Sequence, residues 1–256
     1  MISQLGKLNY LTELVGMKSF QVAKYAWNYF LNKQLPDQDL IIENPVMGKV
    51  FCRAETTDLM YAFYSYEKKV KDLIKKHASE ADIFIDVGAC IGEFSVWAAQ
   101  LGLDCFAFEP STENFCILEK NIELNDFTSK IKPFNFALGA EDAETDIRIH
   151  PTNKGYSGKY VAHKQGHFET IQIKPLDNLV EQLEIPTDCK CIIKIDAEGM
   201  EPDVIDGARQ FLNATNGGVI IFEAHNAHSS PTAELIKSIT EADAFIVDEL
   251  NMAVCY

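Results

Sequence analysis

No stretch of the chain reaches the roughly 18 consecutive apolar residues that a membrane-spanning helix requires, and the first residues hold no short apolar run of the kind a secretory leader carries. The expected compartment is therefore the cytoplasm. Basic residues are scarce: 23 Lys and Arg stand against 38 Asp and Glu, for a formal net charge of −15. That balance argues against nucleic acid or an anionic membrane as a general partner, because sequence-independent binding to either needs a basic surface. Lys68, Lys69, Lys71, Lys75 and Lys76 are a local exception. Interleaved with Val70, Leu73 and Ile74, they fit a solvated helix face better than a phosphate dock. The seven cysteines, Cys52, Cys90, Cys105, Cys116, Cys189, Cys191 and Cys255, show neither zinc-ligand spacing nor a disulfide framework, which leaves packing as their expected role. His163 and His167 are four apart, yet no carboxylate or cysteine nearby completes a metal set. Internal repeats and low-complexity segments are missing as well.

What is present is a chain of 256 residues, 47% of them hydrophobic, enough to bury one sizeable core. Residues 1–60 read as an N-terminal extension. Its first 31 residues carry apolar positions near helical spacing, from Leu8 to Phe30, interrupted by Gly16. They suggest one or two amphipathic helices packed on the main domain, with attachment to a membrane or partner as the alternative. A short β segment or hairpin is expected around Met47-Gly48, then a helix over Tyr61–His77. In the main domain, residues 61–256, short apolar runs alternate with helical stretches: strands at Ile83–Val87, Cys105–Phe108 and Ile131–Phe136, helices at Phe94–Gln100 and Thr112–Leu124. The alternation implies a parallel sheet with helices on both faces, a doubly wound α/β fold. It breaks after Gly139, where strands at Asp146–His150 and Thr170–Lys174 flank a glycine-bearing polar loop and predict an inserted hairpin or lid. It resumes with a strand at Cys191–Ile195, a helix at Val204–Leu212, a strand at Val219–Phe222, a helix at Ala233–Thr240 and a strand at Phe245–Val247. The last residues, Ala253 to Tyr256, would add a final antiparallel strand.

The stretch from Ile83 to Pro110 carries the first chemical signal. A buried strand ends in Asp86-Val87-Gly88-Ala89-Cys90-Ile91-Gly92, where two glycines bracket a tight turn before a helix, so a ligand can approach bare backbone. A second strand delivers Glu109 about twenty residues after that turn, the spacing that puts an acid over a ribose. The same glutamate would also suit the N-terminus of the helix that follows Ser111, and Asp86 would equally serve to brace the turn. Dinucleotide sites need glycine at the first, third and sixth positions of the turn; counting from Gly88, the later two hold Cys90 and Glu93, and an acid opening the helix repels a diphosphate. S-adenosylmethionine has no phosphate and carries a positive sulfonium. It fits better than NAD, which leaves an NAD-dependent oxidoreductase as the weaker alternative.

The strand Cys191–Ile195 then presents Asp196-Ala197-Glu198-Gly199 at the carboxyl end of the sheet. With this block the stretches DVGACIGEFS, FEPSTENFCILEKNIELN, FNFALG, KIDAEGMEPDVIDGA and IIFEAHN, in that order, resemble the FkbM-type family of S-adenosylmethionine-dependent methyltransferases. Arg53 to Asp58 and the Tyr66-Glu67 pair also resemble that family's leading segment. The likeness spans roughly residues 50–225, and the Lys-Ile-Asp-x-Glu-Gly-x-Glu block is its most specific part. The family commonly has asparagine where this chain has Cys90.

The resemblance implies a Rossmann-like class I methyltransferase sheet with S-adenosylmethionine beyond the carboxyl ends of its strands. Asp86, Gly88, Ala89, Cys90, Gly92, Ser95, Glu109, Pro110 and Asp196 are expected at the cofactor. Asn135, Phe136 and Ala137 are expected in an adenine-facing loop, with core packing the rival role for Phe136. Asp196, Glu198 and His225 are the candidate catalytic residues. Helix capping competes for Glu198 and Glu201, and an ordinary loop histidine competes for His225. Asp196 or His225 would take the proton from the acceptor, and a divalent ion on Asp196, Glu198 or Glu223 is a less favoured variant. The implied reaction is O-methylation of a hydroxyl on a glycan or secondary metabolite, a small-molecule or glycan acceptor. A cofactor-binding protein that has lost catalysis is the alternative from another class. Oligomeric state is not legible.

Overall fold

The structure is a computed structural model that describes residues 4–17, 19–161, 164–224 and 230–256. His163 and His225 lie outside the described residues. Two helices, α1 (Gln4–Met17) and α2 (Phe20–Asn32), precede an antiparallel hairpin of β1 (Leu40–Asn44) and β2 (Gly48–Cys52). Ser19 caps α2 by accepting from the Val22 N–H. Next come α3 (Lys68–His77), β3 (Ile83–Val87), α4 (Glu93–Gln100), β4 (Asp104–Phe108), α5 (Thr112–Leu124) and β5 (Ile131–Phe134). A separate three-stranded sheet is built from β6 (Ala137–Leu138), β7 (Ala143–Ile149) and β8 (His167–Lys174), the last two an antiparallel hairpin. The chain finishes with β9 (Cys191–Ile195), α6 (Glu201–Asp206), α7 (Arg209–Ala214), β10 (Gly218–Glu223), α8 (Pro231–Thr240), β11 (Phe245–Ile246) and β12 (Asn251–Cys255).

Seven strands form the main sheet in the order β11-β12-β10-β9-β3-β4-β5. All neighbours from β10 to β5 are parallel, and β12 runs antiparallel to both β10 and β11. Every residue of β3 and β9 is buried, as central strands covered on both faces must be. Alternate strand side chains feed two layers: Ile85, Phe108, Ile193 and Phe222 pack on one face, Phe84, Ile192 and Ile221 on the other, where Trp97 of α4 joins them. Strand order reverses between β3 and β9, because the chain adds β4 and β5 on one side before crossing to the other. A crevice opens at such a switch point, beyond the carboxyl ends of those strands.

The N-terminal extension does not stand apart. Tyr10, Leu14, Ala26 and Phe30 pack with Leu40, Ile42 and Phe63 and with Ile91 of the glycine turn. Asn121 ties the hairpin to that turn, accepting from Phe51 N–H at 2.7 Å and donating to the Ile91 carbonyl at 2.8 Å.

Several expected elements differ in extent, and three of the differences have a visible cause. The helix expected over Tyr61–His77 begins only at Lys68, since Glu67 adopts a left-handed backbone (φ 48°) that an α-helix cannot contain. Strand β5 stops at Phe134 rather than Phe136, where Asn135 turns to bond neighbouring carbonyls. The helix expected over Val204–Leu212 is two short helices broken at Gly207-Ala208. Gly207 lies so close to the Gly139 backbone that a Cβ there would sit 1.9 Å from the Gly139 carbonyl oxygen.

Candidate functional site

The glycine turn is fixed from both neighbouring strands. Gly88 and Ala89 N–H groups donate to the Phe108 carbonyl at 2.9 and 3.0 Å, and Asp196 N–H donates to the Val87 carbonyl at 2.9 Å. Gly88 (φ 78°) lies against the start of the Asp196 turn, where a Cβ would sit 1.9 Å from the Asp196 carbonyl oxygen. Backbone cannot yield there as a side-chain end could. Gly88→Ala is expected to destabilise the fold by about 1–3 kcal/mol, from strained φ and overpacking together; urea titration measures it. Cys90 is also left-handed (φ 49°), a conformation asparagine adopts more readily than most residues, which supplies a backbone reason for the asparagine of similar sequences. Gly92 packs on Leu118 and does not line the crevice.

Glu109 is 5% exposed and uses both oxygens. Oε2 accepts from the Cys90 N–H at 2.8 Å and Oε1 from the Ser111 N–H at 2.9 Å. The glutamate thus braces the turn and the start of α5 at once, and each oxygen keeps a lone pair. Burial pushes its carboxyl up to about 7, against the lowering pull of those two N–H groups. Asp86 receives the hydroxyl of fully buried Ser95 at 2.6 Å on Oδ2, while its Oδ1 is buried without a hydrogen-bond partner. Burial again raises the carboxyl. Asn135 donates to the Glu109 and Pro110 carbonyls at 2.9 and 3.0 Å, and Phe136 packs on Phe108 and Phe134. Asp86, Gly88, Ala89, Cys90, Glu109, Pro110, Ala137, Asp196 and Glu198 line one cleft of ≈ 310 Å³; Ser95, Asn135 and Phe136 support it from behind.

Beneath the cleft lies a buried charge network. Lys194 reaches Asp196 at 3.1 Å, and its ammonium and that of Lys71 lie over the ring of Phe94. Burial opposes the charge on Lys194, but Asp196, Glu67, Asp86 and Glu93 overcome it and hold the ammonium well above the usual lysine value. For Lys71 burial wins, and the group falls to about 8. Burial also lifts Glu93 to about 8. At the Asp196 turn, Glu198 takes a left-handed backbone (φ 50°), and burial followed by the charges of Asp196 and Glu223 lifts it to about 9. Glu223 rises to about 7 for the same two reasons, burial and then Asp196. Glu201 has the bracing role: its Oε1 accepts from Ala197 and Gly199 N–H at 3.0 and 3.1 Å. No cluster of three metal-ligating side chains occurs among the described residues.

Several lining residues were not expected from the sequence as site residues. Tyr61 and Tyr66 come from the stretch before α3, Leu250 and Asn251 from the β11–β12 hairpin, and residues 153–159 from the β7–β8 loop. That loop is tied down across the cleft. Thr57 N–H donates to the Thr152 carbonyl at 2.9 Å, Asn114 donates to the Lys154 carbonyl at 3.1 Å, and Lys154 pairs with Glu113 at 2.6 Å. The Arg53–Asp58 stretch and the Tyr66-Glu67 pair were the available signals for the segment before α3; the glycine-bearing polar composition marked the loop as an insertion or lid but not which of its residues line the cleft.

Residues 86–250 match the sequence profile described as the methyltransferase FkbM domain. Hexuronic acid methyltransferase AglP of Haloferax volcanii is 30% identical over 159 residues, 62% of this chain and 62% of that protein, so the chain matches less than two thirds of that relative's length. Among solved structures, the METTL16 methyltransferase domain is similar with a TM-score of 0.50 at 13% identity, covering 93% of this chain and 92% of that one. A SAM-dependent methyltransferase from Agrobacterium tumefaciens also gives 0.50, at 10% identity, covering 88% and 72%. Both likenesses concern the fold.

Proposed function

The chain belongs to the FkbM methyltransferase family, and from that premise we propose that it moves a methyl group from S-adenosylmethionine to a hydroxyl oxygen of a sugar in a glycan or a small metabolite. The carrying observation is the pairing, in one cleft, of a bare glycine turn with two buried carboxylates that retain acceptor capacity, Glu109 and the unpartnered Oδ1 of Asp86. These residues fit the cofactor: Glu109 offers two oxygens to ribose hydroxyls, Asp86 offers an anionic acceptor to an ammonium, and the surrounding acids favour a cationic sulfonium. They do not fit a dinucleotide, because Cys90 and Glu93 occupy the positions where a pyrophosphate needs glycine. When bound, the cofactor supplies an electrophilic methyl group, and most of the protein's help is alignment. In this reading Asp196 accepts the hydroxyl proton; its pairing with Lys194 and its N–H bond to the Val87 carbonyl support that role. Glu198, protonated near neutral pH, serves as a hydrogen-bond donor, and the tethered loop over residues 153–159 excludes water. AglP, named for hexuronic acid, supports a sugar acceptor. The acidic balance supports a glycan or small molecule over nucleic acid.

Calorimetry tests this reading. The protein is expected to bind S-adenosylmethionine and S-adenosylhomocysteine and to ignore NAD. Ribose hydroxyls donate to the ionised Glu109, whose carboxyl stands at about 7 before the ligand binds. Affinity is therefore lost as the pH falls through 7 and gained as it rises, about tenfold between pH 6 and pH 8. Tight NAD binding with no response to the methyl donor overturns the proposal.

A further inference from the structure

Three lysines line the cleft, among many more carboxylates. Lys194 is paired with Asp196, and Lys154 with Glu113. Lys159 differs: it has no ion pair among the described residues, and its ammonium lies 5.2 Å from the centre of the Tyr160 ring. That ring is 58% exposed. The position of the two residues is set by close packing rather than left to a free loop. Gly158 exchanges backbone hydrogen bonds with Arg148 at 3.0 and 3.2 Å, and a Cβ on Gly158 would meet the Glu198 Cβ at 2.8 Å. The Tyr160 side chain lies against Gly199, 3.4 Å from where a Cβ would be. Lys159 and Tyr160 are thus carried on the Asp196–Gly199 turn, beside the group assigned to take the acceptor's proton.

We propose that Lys159 and Tyr160 form the acceptor subsite and select a sugar that bears a carboxylate, a uronic acid residue. The inference rests on the methyltransferase reading and adds to it the charge of the acceptor. An acidic cleft repels an anionic sugar, and a single uncommitted cation on the acceptor side reverses that sign locally. The exposed ring offers the flat apolar face on which the C–H side of a pyranose packs, while the ammonium reaches the carboxylate at the ring's edge. A neutral sugar makes no use of the cation.

The test uses the full chain, tritiated S-adenosylmethionine and two probes, p-nitrophenyl β-D-glucuronide and p-nitrophenyl β-D-glucoside. The wild type is expected to favour the glucuronide in kcat/KM by about tenfold or more. Lys159→Glu should reduce that ratio by at least about tenfold, and Lys159→Arg should keep it. Binding of S-adenosylmethionine, measured by calorimetry on each variant, shows that the fold is intact. Equal wild-type rates on the two sugars, an unchanged ratio in Lys159→Glu, or cofactor binding with neither sugar methylated overturns the inference and leaves the methyltransferase reading standing. Absence of cofactor binding by the wild type defeats both.

Discussion

Glu109→Ala is expected to weaken S-adenosylmethionine binding by about 2–4 kcal/mol, thirtyfold to a thousandfold in the dissociation constant. The size follows from the environment of the side chain. Glu109 is almost fully buried at the end of β4, each oxygen already holds one backbone N–H, and the residue lines the cleft where a ribose would lie. Charge-assisted bonds sheltered from water are the strong kind. Alanine also releases the Cys90 and Ser111 N–H groups, so part of the effect is a looser turn. Glu109→Gln separates the two contributions. It keeps the shape and one acceptor oxygen but loses the charge, and should fall between wild type and alanine in affinity while losing less stability. Calorimetry paired with thermal denaturation reads both quantities. A folded Glu109→Ala variant with an unchanged dissociation constant would assign the residue to bracing α5 and the turn alone.

Glu109 was legible in the sequence because its position depends on local order: an apolar strand, a glycine turn, a helix and a second strand fix where the next acid arrives. The central strands were legible for a similar reason, since Ile83–Val87 and Cys191–Ile195 are apolar on both faces and only a doubly covered strand suits them. The antiparallel last strand followed from the same class of fold. What stayed hidden depends on contacts distant in sequence. The helix breaks at Gly207-Ala208, where the Gly139 backbone leaves no room for a side chain on residue 207, and no periodicity within Val204–Leu212 announces that neighbour. Asn135 was expected in the adenine-facing loop; its amide nitrogen donates to the Glu109 and Pro110 carbonyls, contacts that nothing in its own stretch announces. The loop over residues 153–159 acquires its place from Thr57, Glu113 and Asn114, up to about a hundred residues away. Lys194 read as one more strand residue; only the assembled sheet shows it beneath Asp196, within the field of Glu67, Asp86 and Glu93.

Asp196→Asn is expected to cut turnover by roughly a hundredfold or more, with cofactor affinity much less affected, if proton removal from the acceptor is the work of this carboxylate. The residue stands at the carboxyl end of β9, and its N–H bond to the Val87 carbonyl holds its backbone beside the glycine turn. Asparagine preserves shape but cannot accept a proton, and it removes the foremost partner of the buried Lys194 ammonium. Some loss of stability should accompany the change for that second reason, and thermal denaturation measures it apart from turnover. Single-turnover kinetics with an unmethylated acceptor that the wild type turns over isolates the chemical step. Chelator treatment of the wild type then divides two versions of the role: activity lost and restored by magnesium or manganese assigns the carboxylate to a metal, and indifference assigns it to direct proton removal. Glu198 is a poorer choice of base near neutral pH, since burial and its acidic neighbours lift its carboxyl to about 9. If Asp196→Asn left turnover intact on a true acceptor, the proton would have to leave by another group, and His225, two residues past the end of β10 in sequence, would be the residue to replace.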